Sequence, residues 1–396
     1  MIKNMLLLFL ICLIIFTSGC WDREEPDEIG IVIMAAFDID EDSGLNKVVA
    51  QVANPLAPGI VEDGGDAPYE ESTWVVEATG HSTYEAIQNL ELLTTRALDW
   101  SHVEVLVISE KIAEQGLRPI LDFFDRERQS RLITRPLMLK GDINQLMEVQ
   151  FPLEVLGGDA LGKHLLHVQE ERSTVSDVDS MRIMFQQLSA PGQDLVLPLG
   201  EVILEEEEEE GEGLTPGTID LSGSAVFRND RLAGFIDGRE STGYLWITGQ
   251  IQRATLVVKC PGCEEKLLTI EIFQTETELK PEITGYKPRF ELQVRTESRI
   301  QEFACPEFPT DKEFMEALNR RLATVIRNEI EMSLDKAKEL QTDIFGLGNL
   351  IFRKKPQVWE EIEDEWPDIF EEAEVDIEVK AVIRRHGQVT DPVIIR

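Results

Sequence analysis

Cysteine, histidine and positive charge are scarce in this 396-residue chain: five Cys, five His, and 38 Lys and Arg against 75 Asp and Glu, a net charge of −37. Each shortage excludes something. Setting aside Cys12 and Cys20 near the N-terminus leaves Cys260, Cys263 and Cys305, an odd set that allows at most one disulfide and no disulfide-stapled scaffold. So acidic a chain has nothing with which to release phosphate counterions, which argues against nucleic acid. It also lacks the polybasic face that holds a protein flat on anionic lipid. His81, His102 and His386 stand alone, and His164 and His167, at i and i+3, have no acid at ligand-like spacing. There is no Walker-type or dinucleotide glycine motif and no Gly-x-Ser-x-Gly elbow. Nothing here argues for an enzyme or for a cofactor.

What is present begins at the N-terminus. Met1-Ile2-Lys3-Asn4 leads into an apolar run over 5–16 and then Thr17-Ser18-Gly19-Cys20. The run is shorter than the roughly 20 residues a membrane-spanning helix needs, and a charged start, greasy core and small-small-Cys ending make a lipoprotein signal. Ser18 and Gly19 let the chain enter a peptidase cleft in extended form, and the thiol of Cys20 takes up a diacylglyceryl group. Two acyl chains suffice for stable anchoring. Trp21 then sits at headgroup depth, where an amphipathic ring is favoured. Export and attachment to a membrane through lipid, rather than through protein charge, are the expectation.

The residues behind Cys20 carry a more specific signal. Cys20-Trp21-Asp22-Arg23-Glu24-Glu25, running into Glu28-Ile29-Gly30-Ile31-Val32, resembles the mature start of the Ger(x)C family of spore germination lipoproteins. Four later segments agree, in family order. Gly223-Ser224-Ala225-Val226-Phe227 is similar to the family's Gly-x-Ala-Val-Phe hairpin, and Glu240-Ser241-Thr242-Gly243-Tyr244-Leu245-Trp246 to its Glu-x-x-Gly-Tyr-Leu-Trp segment. Asp343-Ile344-Phe345-Gly346-Leu347-Gly348 with Trp359 resembles the end of its long C-terminal helix, and 131–136 the middle of its N-terminal half. The resemblance implies the C subunit of a nutrient germinant receptor, lipid-anchored on the outer face of the spore inner membrane. There it assembles with an A subunit and an integral-membrane B subunit, with no catalytic role. The alternative from another class is a lipid-anchored solute-binding protein of a transporter, which calls for two similar domains closing on a polar cleft.

Length and a 42% hydrophobic content provide for two or three domains. Periodicity predicts strands over 28–38, 47–53 and 74–78, a helix capped by Ser82 or Thr83, a strand over 102–109, a helix over 111–128, a strand over 131–140, a helix over 177–188 and a strand over 195–204 interrupted at Pro198. Six glutamates, 205–210, repel one another and mark a solvated linker. Beyond it, Asn229-Asp230 turns one hairpin and Pro261-Gly262 a second, 289–303 alternates as a long strand, and Thr310-Asp311 caps a long helix with an apolar stripe, ended by Gly346 and Gly348; a last strand covers 375–385. The expected organisation is a signal peptide over 1–19, an N-terminal α/β region over 20–204, an acidic linker over 205–213 and a C-terminal domain over 214–396. The fold class is mixed α/β or α+β and multidomain: mixed β-sheets with packed helices, and a long helix across a mostly antiparallel sheet in the C-terminal domain.

Two local features stay open in the sequence. Cys260-Pro261-Gly262-Cys263 has the spacing of a metal or redox pair, but Cys305 is the sole further sulfur ligand in the mature chain and a hairpin turn is not the helix N-terminus that activates a redox thiol. Free thiols or a disulfide across the turn are the expectation, with Cys260, Cys263 and Cys305 the weak metal candidates. Tyr244, Leu245, Trp246 and Ile247 cannot all be buried by one helix stripe, so some are expected to face another domain or another protein.

Overall fold

The computed structural model describes residue 3 and residues 28–54, 72–126, 131–149, 151, 153–204, 217–284, 287–305 and 312–385. The expected signal peptide apart from Lys3, and Cys20, Trp21, the acidic run, the Thr310-Asp311 cap and His386, lie outside the described residues.

In chain order the elements are β1 (Ile29–Ile39), β2 (Asn46–Ala53), β3 (Thr73–Gly80), α1 (Thr83–Glu91), β4 (Ala97–Asp99), β5 (Val105–Ser109), α2 (Glu110–Gln115), α3 (Arg118–Arg126), β6 (Arg135–Lys140), α4 (Ile143–Glu148), α5 (Gly157–Glu171), α6 (Met181–Ser189) and β7 (Val196–Leu204). Then follow β8 (Gly217–Asp220), β9 (Ser224–Arg228), β10 (Arg231–Ile236), α7 (Gly238–Thr248), β11 (Ala254–Cys260), β12 (Cys263–Thr284), β13 (Lys287–Phe303), α8 (Lys312–Glu339), α9 (Leu347–Lys354), α10 (Pro356–Ile362), α11 (Trp366–Glu372) and β14 (Glu374–Arg385).

The first sheet is ten-stranded, ordered β10-β9-β7-β6-β5-β1-β2-β3, with β4 on β1 and β8 on β7. Its centre, β1-β5-β6-β7, is parallel and its flanks antiparallel. Parallel strands are covered on both faces, which is why β1 and β5 read as nearly continuous apolar runs. Alternate residues supply two cores. Val32, Ala35 and Phe37 face α1, α2, α3 and α6, while Met34 and Ala36 face α4 and α5.

The second sheet is β11-β12-β13-β14, antiparallel except where β14 joins β13 in parallel. Across it lies α8, whose Leu318, Leu322, Ile326 and Ile330 meet Leu268, Ile270, Phe290 and Leu292. The mixed sheets with packed helices, and the long helix over a mostly antiparallel sheet, are as the sequence pattern implies. The halves are not copies of one another.

Three boundaries differ from expectation. The helix expected over 111–128 is two helices, because Gly116 takes φ +121 and Pro119 starts a new turn. The long helix ends at Glu339, and Gly346, at φ +69, instead caps the start of α9. Thirdly, the first sheet does not stop at the acidic run: β8, β9 and β10, from beyond it, complete one flank.

Candidate functional site at the joint between the two sheets

The 240–249 segment forms α7, and its start is fixed by reciprocal bonds. Asp237 Oδ1 accepts from Arg239 N and Glu240 N, both at 2.8 Å, while Glu240 Oε2 accepts from Asp237 N at 2.8 Å. Gly249, left-handed at φ +72, ends it. The expectation that some of Tyr244, Leu245, Trp246 and Ile247 face another domain or another protein is met within the chain itself, for all four are buried among elements of both halves. Residues 241–247 of α7 are buried on every side of the helix, which sits between the first sheet, the second sheet and α8.

Polar contacts radiate from it to both halves. Thr242 Oγ1 donates to Ser173 O (3.0 Å) and Ser241 Oγ to Ser224 Oγ of β9 (3.0 Å), while Thr277 of β12 donates to Trp246 O (3.0 Å). Trp246 Nε1 donates to Glu329 Oε2 of α8 at 2.9 Å. The helices touch at Gly243, where a Cβ would overlap Glu329 O and stand 2.7 Å from Ser333 Cβ. Burial pushes the Glu329 carboxyl up to about 7, against the opposing effect of the indole N–H.

A second knot lies beside the first. Asp343 N donates to Asp194 Oδ2 (2.8 Å) and Asp194 N returns a bond to Asp343 O (2.9 Å). Asn229 N, in the β9–β10 turn, donates to Asp194 Oδ1 at 3.2 Å. The buried Asp343 carboxylate accepts from Leu347 N (3.0 Å), Gly348 N (2.7 Å) and Trp366 Nε1 (3.1 Å). Burial pushes it up to about 7, opposed by those donors and reinforced by Asp194. Trp366 meets Trp359 edge-on at 5.5 Å, and Trp359 packs against Gly192 and Gly348, where no Cβ has room. A cleft of about 320 Å³ opens here, lined among others by Pro191, Arg228, Gln341 and Phe370. Chemically the arrangement holds the first sheet, α8 and the second sheet in one fixed relation. It presents no nucleophile beside a base.

With this geometry in view, two family models match the chain. Residues 22–202 match the model described as spore germination protein N-terminal domain, and residues 222–387 match spore germination B3/GerAC like, C-terminal. The chain belongs to the Ger(x)C family of spore germination proteins. Among curated Ger(x)C relatives, spore germination protein KC of Bacillus subtilis (strain 168) is 26% identical over 99% of this chain and 98% of its own. GerQC of Bacillus cereus is 22% identical over 90% and 93%. The crystal structure of the GerBC protein shares the fold, with TM-score 0.56 and 18% identity over 91% of this chain and 99% of that one. The two family models part between 202 and 222, although the first sheet continues across that stretch.

The sulfur residues fall out differently from expectation. Cys260 is joined to Cys305, with Cα atoms 5.7 Å apart, and Cys263 is free and half-buried. A disulfide across the Pro261-Gly262 turn is therefore corrected: Cys260 points into the core, and pairing of Leu268 with Phe303 brings the chain just past β13 to it. Of the three, Cys263 alone is a free thiol in this structure. His164 and His167 share α5, where burial pushes His164 down, and no group of three or more His, Cys, Asp or Glu among the described residues is placed to hold a metal ion.

Sequence reasoning missed Glu329, Asp343 and Asp194. The signal for Glu329 was available, because it interrupts the stripe of α8 between Ile326 and Ile330, where an acid needs a buried partner.

Proposed function

We propose that this chain is the lipid-anchored C subunit of a nutrient germinant receptor. In this reading a diacylglyceryl group on Cys20 holds it to the outer face of the spore inner membrane, and Trp21 lies at headgroup depth. It assembles with A- and B-type subunits and couples them without catalysing a reaction. The observation that carries the reading is the match of both family models, in order, to a chain whose first twenty residues read as a lipoprotein signal. The contacts of α7 support a coupling role, since it is hydrogen-bonded to β9 of the first sheet, to β12 of the second and to α8. The solute-binding alternative loses ground because it calls for two similar domains closing on a polar cleft, and these halves differ in strand number and order.

The test is the mass of the N-terminal peptide of protein isolated from spores, together with its fractionation. A diacylglyceryl-modified Cys20 in the inner-membrane fraction, lost to the soluble fraction in Cys20→Ala, is the expected result. An unmodified Cys20 in soluble protein contradicts the reading.

A further inference from the structure

We propose that the end of the first sheet at which Glu28 enters the fold rests against the lipid bilayer. The proposal builds on the anchored reading above and names the face involved. Because β1, β4, β5 and β6 run parallel, their N-terminal ends share one end of the sheet. The turn after α1 is pinned there: Thr94 Oγ1 donates to Glu91 O (2.9 Å) and Arg96 O (2.7 Å), and Ala97 N to Glu28 O (3.3 Å). That turn leaves Leu92 82% and Leu93 58% exposed.

Neighbouring strands add to the same end. Thr134 Oγ1 donates to Val103 O (2.8 Å), which sets Leu132 and Ile133 at the foot of β6, 48% and 64% exposed. On the other flank Ser72, just before β3, donates to Val155 O (3.2 Å), which places Leu153 and Val155 at the foot of β3, 93% and 42% exposed. With Trp74 and Val75 near the start of β3, these make up more than half of the large apolar side chains that the described residues leave exposed. Singly scattered apolar residues need no explanation, but apolar residues gathered at one end call for a partner.

Two observations point to lipid as that partner. The first is reach. Eight residue steps separate Cys20 from Glu28, so the chain spans at most about 28 Å between the acyl chains and this end. The second is charge. In a protein of net charge −37, this end exposes Arg131 and Arg182 alongside Glu28 and Glu91, with Arg96 half-buried beside them and Glu154 paired to Lys163 at 2.7 Å, so its described charges are close to balance. The opposite end, where β1, β5 and β6 finish, gathers Asp38, Asp40, Glu41, Asp42, Glu110 and Asp142 around a surface hollow, where Lys47 and Lys111 offset only two of them. An anionic bilayer repels that end and accepts the other. No helix among the described residues is long and apolar enough to cross a membrane. The net charge, taken as a whole, spoke against protein contact with anionic lipid; the two ends of the sheet differ, and the average conceals it.

The test uses the full lipidated protein in protein-free vesicles of phosphatidylcholine and phosphatidylglycerol that carry a diazirine phospholipid. After photolysis, peptides covering 90–97, 131–135 and 153–156 are expected to bear the label, and those around Val257 and Leu267 are not. A Leu92→Glu, Ile133→Glu variant, substituted at exposed positions, should still float with the vesicles while labelling of this end falls about tenfold. Flotation with the label elsewhere, or with none on the protein, overturns the proposal and leaves the anchored reading standing; the second pattern means that a protein partner covers this end. Failure to float with Cys20 intact overturns the anchored reading and the proposal together.

Discussion

Replacing Glu329 by Gln tests how the joint is held, because the buried carboxyl ties stability to pH. Folded, Glu329 titrates at about 7, since burial disfavours its charge and the single N–H from Trp246 only partly offsets this; its ordinary value is 4.5. Below 4.5 both folded and unfolded chains carry the proton and the group's contribution is fully present. Between 4.5 and about 7 the unfolded chain gives up its proton first, so stability falls as pH rises. Above about 7 both states are ionised and the loss is complete. That gap amounts to about 3 kcal/mol between pH 4.5 and 8. Glutamine still accepts the indole N–H through its amide oxygen and does not titrate. Urea unfolding followed by tryptophan fluorescence should therefore show the wild type losing about 3 kcal/mol more than Glu329→Gln across that range. At pH 8 the variant should be the more stable of the two. Asp343 adds its own slope, but equally to both proteins. Parallel profiles would refute the reasoning.

Other perturbations follow from the same geometry. Gly243→Ala forces a Cβ onto the backbone of α8 at Glu329 and should cost about 3 kcal/mol, read as a lower urea midpoint; an unchanged midpoint would mean that α7 and α8 do not approach so closely. Cys305→Ser opens a loop with a sequence separation of 45 and should cost about 4 kcal/mol on the loop-entropy estimate, and thiol titration of mature lipidated protein should find Cys263 as the reactive group; three free thiols would contradict the Cys260–Cys305 pairing. Asp343→Ala leaves Leu347 N, Gly348 N and Trp366 Nε1 without their acceptor and should cost about 3 kcal/mol, with a shift in tryptophan emission; a melt like the wild type's would deny that knot its role.

How far the sequence revealed this fold depends on whether each signal was local. Asn229-Asp230 and Pro261-Gly262 turn their hairpins as read, with Asn229 at φ +56 and Gly262 at φ +80, because turn chemistry is decided within a few residues. The stripe of α8 was equally legible, since one helix face meets one sheet. What was not legible was non-local. The α7 segment has no amphipathic face to detect, because α8 and both sheets surround its apolar stretch, so the sequence left open whether those residues meet another domain or another protein. Cys260 meets Cys305 only after β12 and β13 have paired. Asp194 and Asp343, one from each side of the acidic run, are indistinguishable by composition among 75 acids. Recognition of the family came from motif order along the chain, a signal independent of which residues end up buried.

The most direct test of the central claim is a pull-down from spore inner membranes, with wild-type protein beside Cys20→Ala as bait. The account predicts that intact Cys20 brings down A- and B-type receptor subunits and that Cys20→Ala does not. Recovery of an uptake transporter with intact Cys20, or of neither subunit, would contradict it.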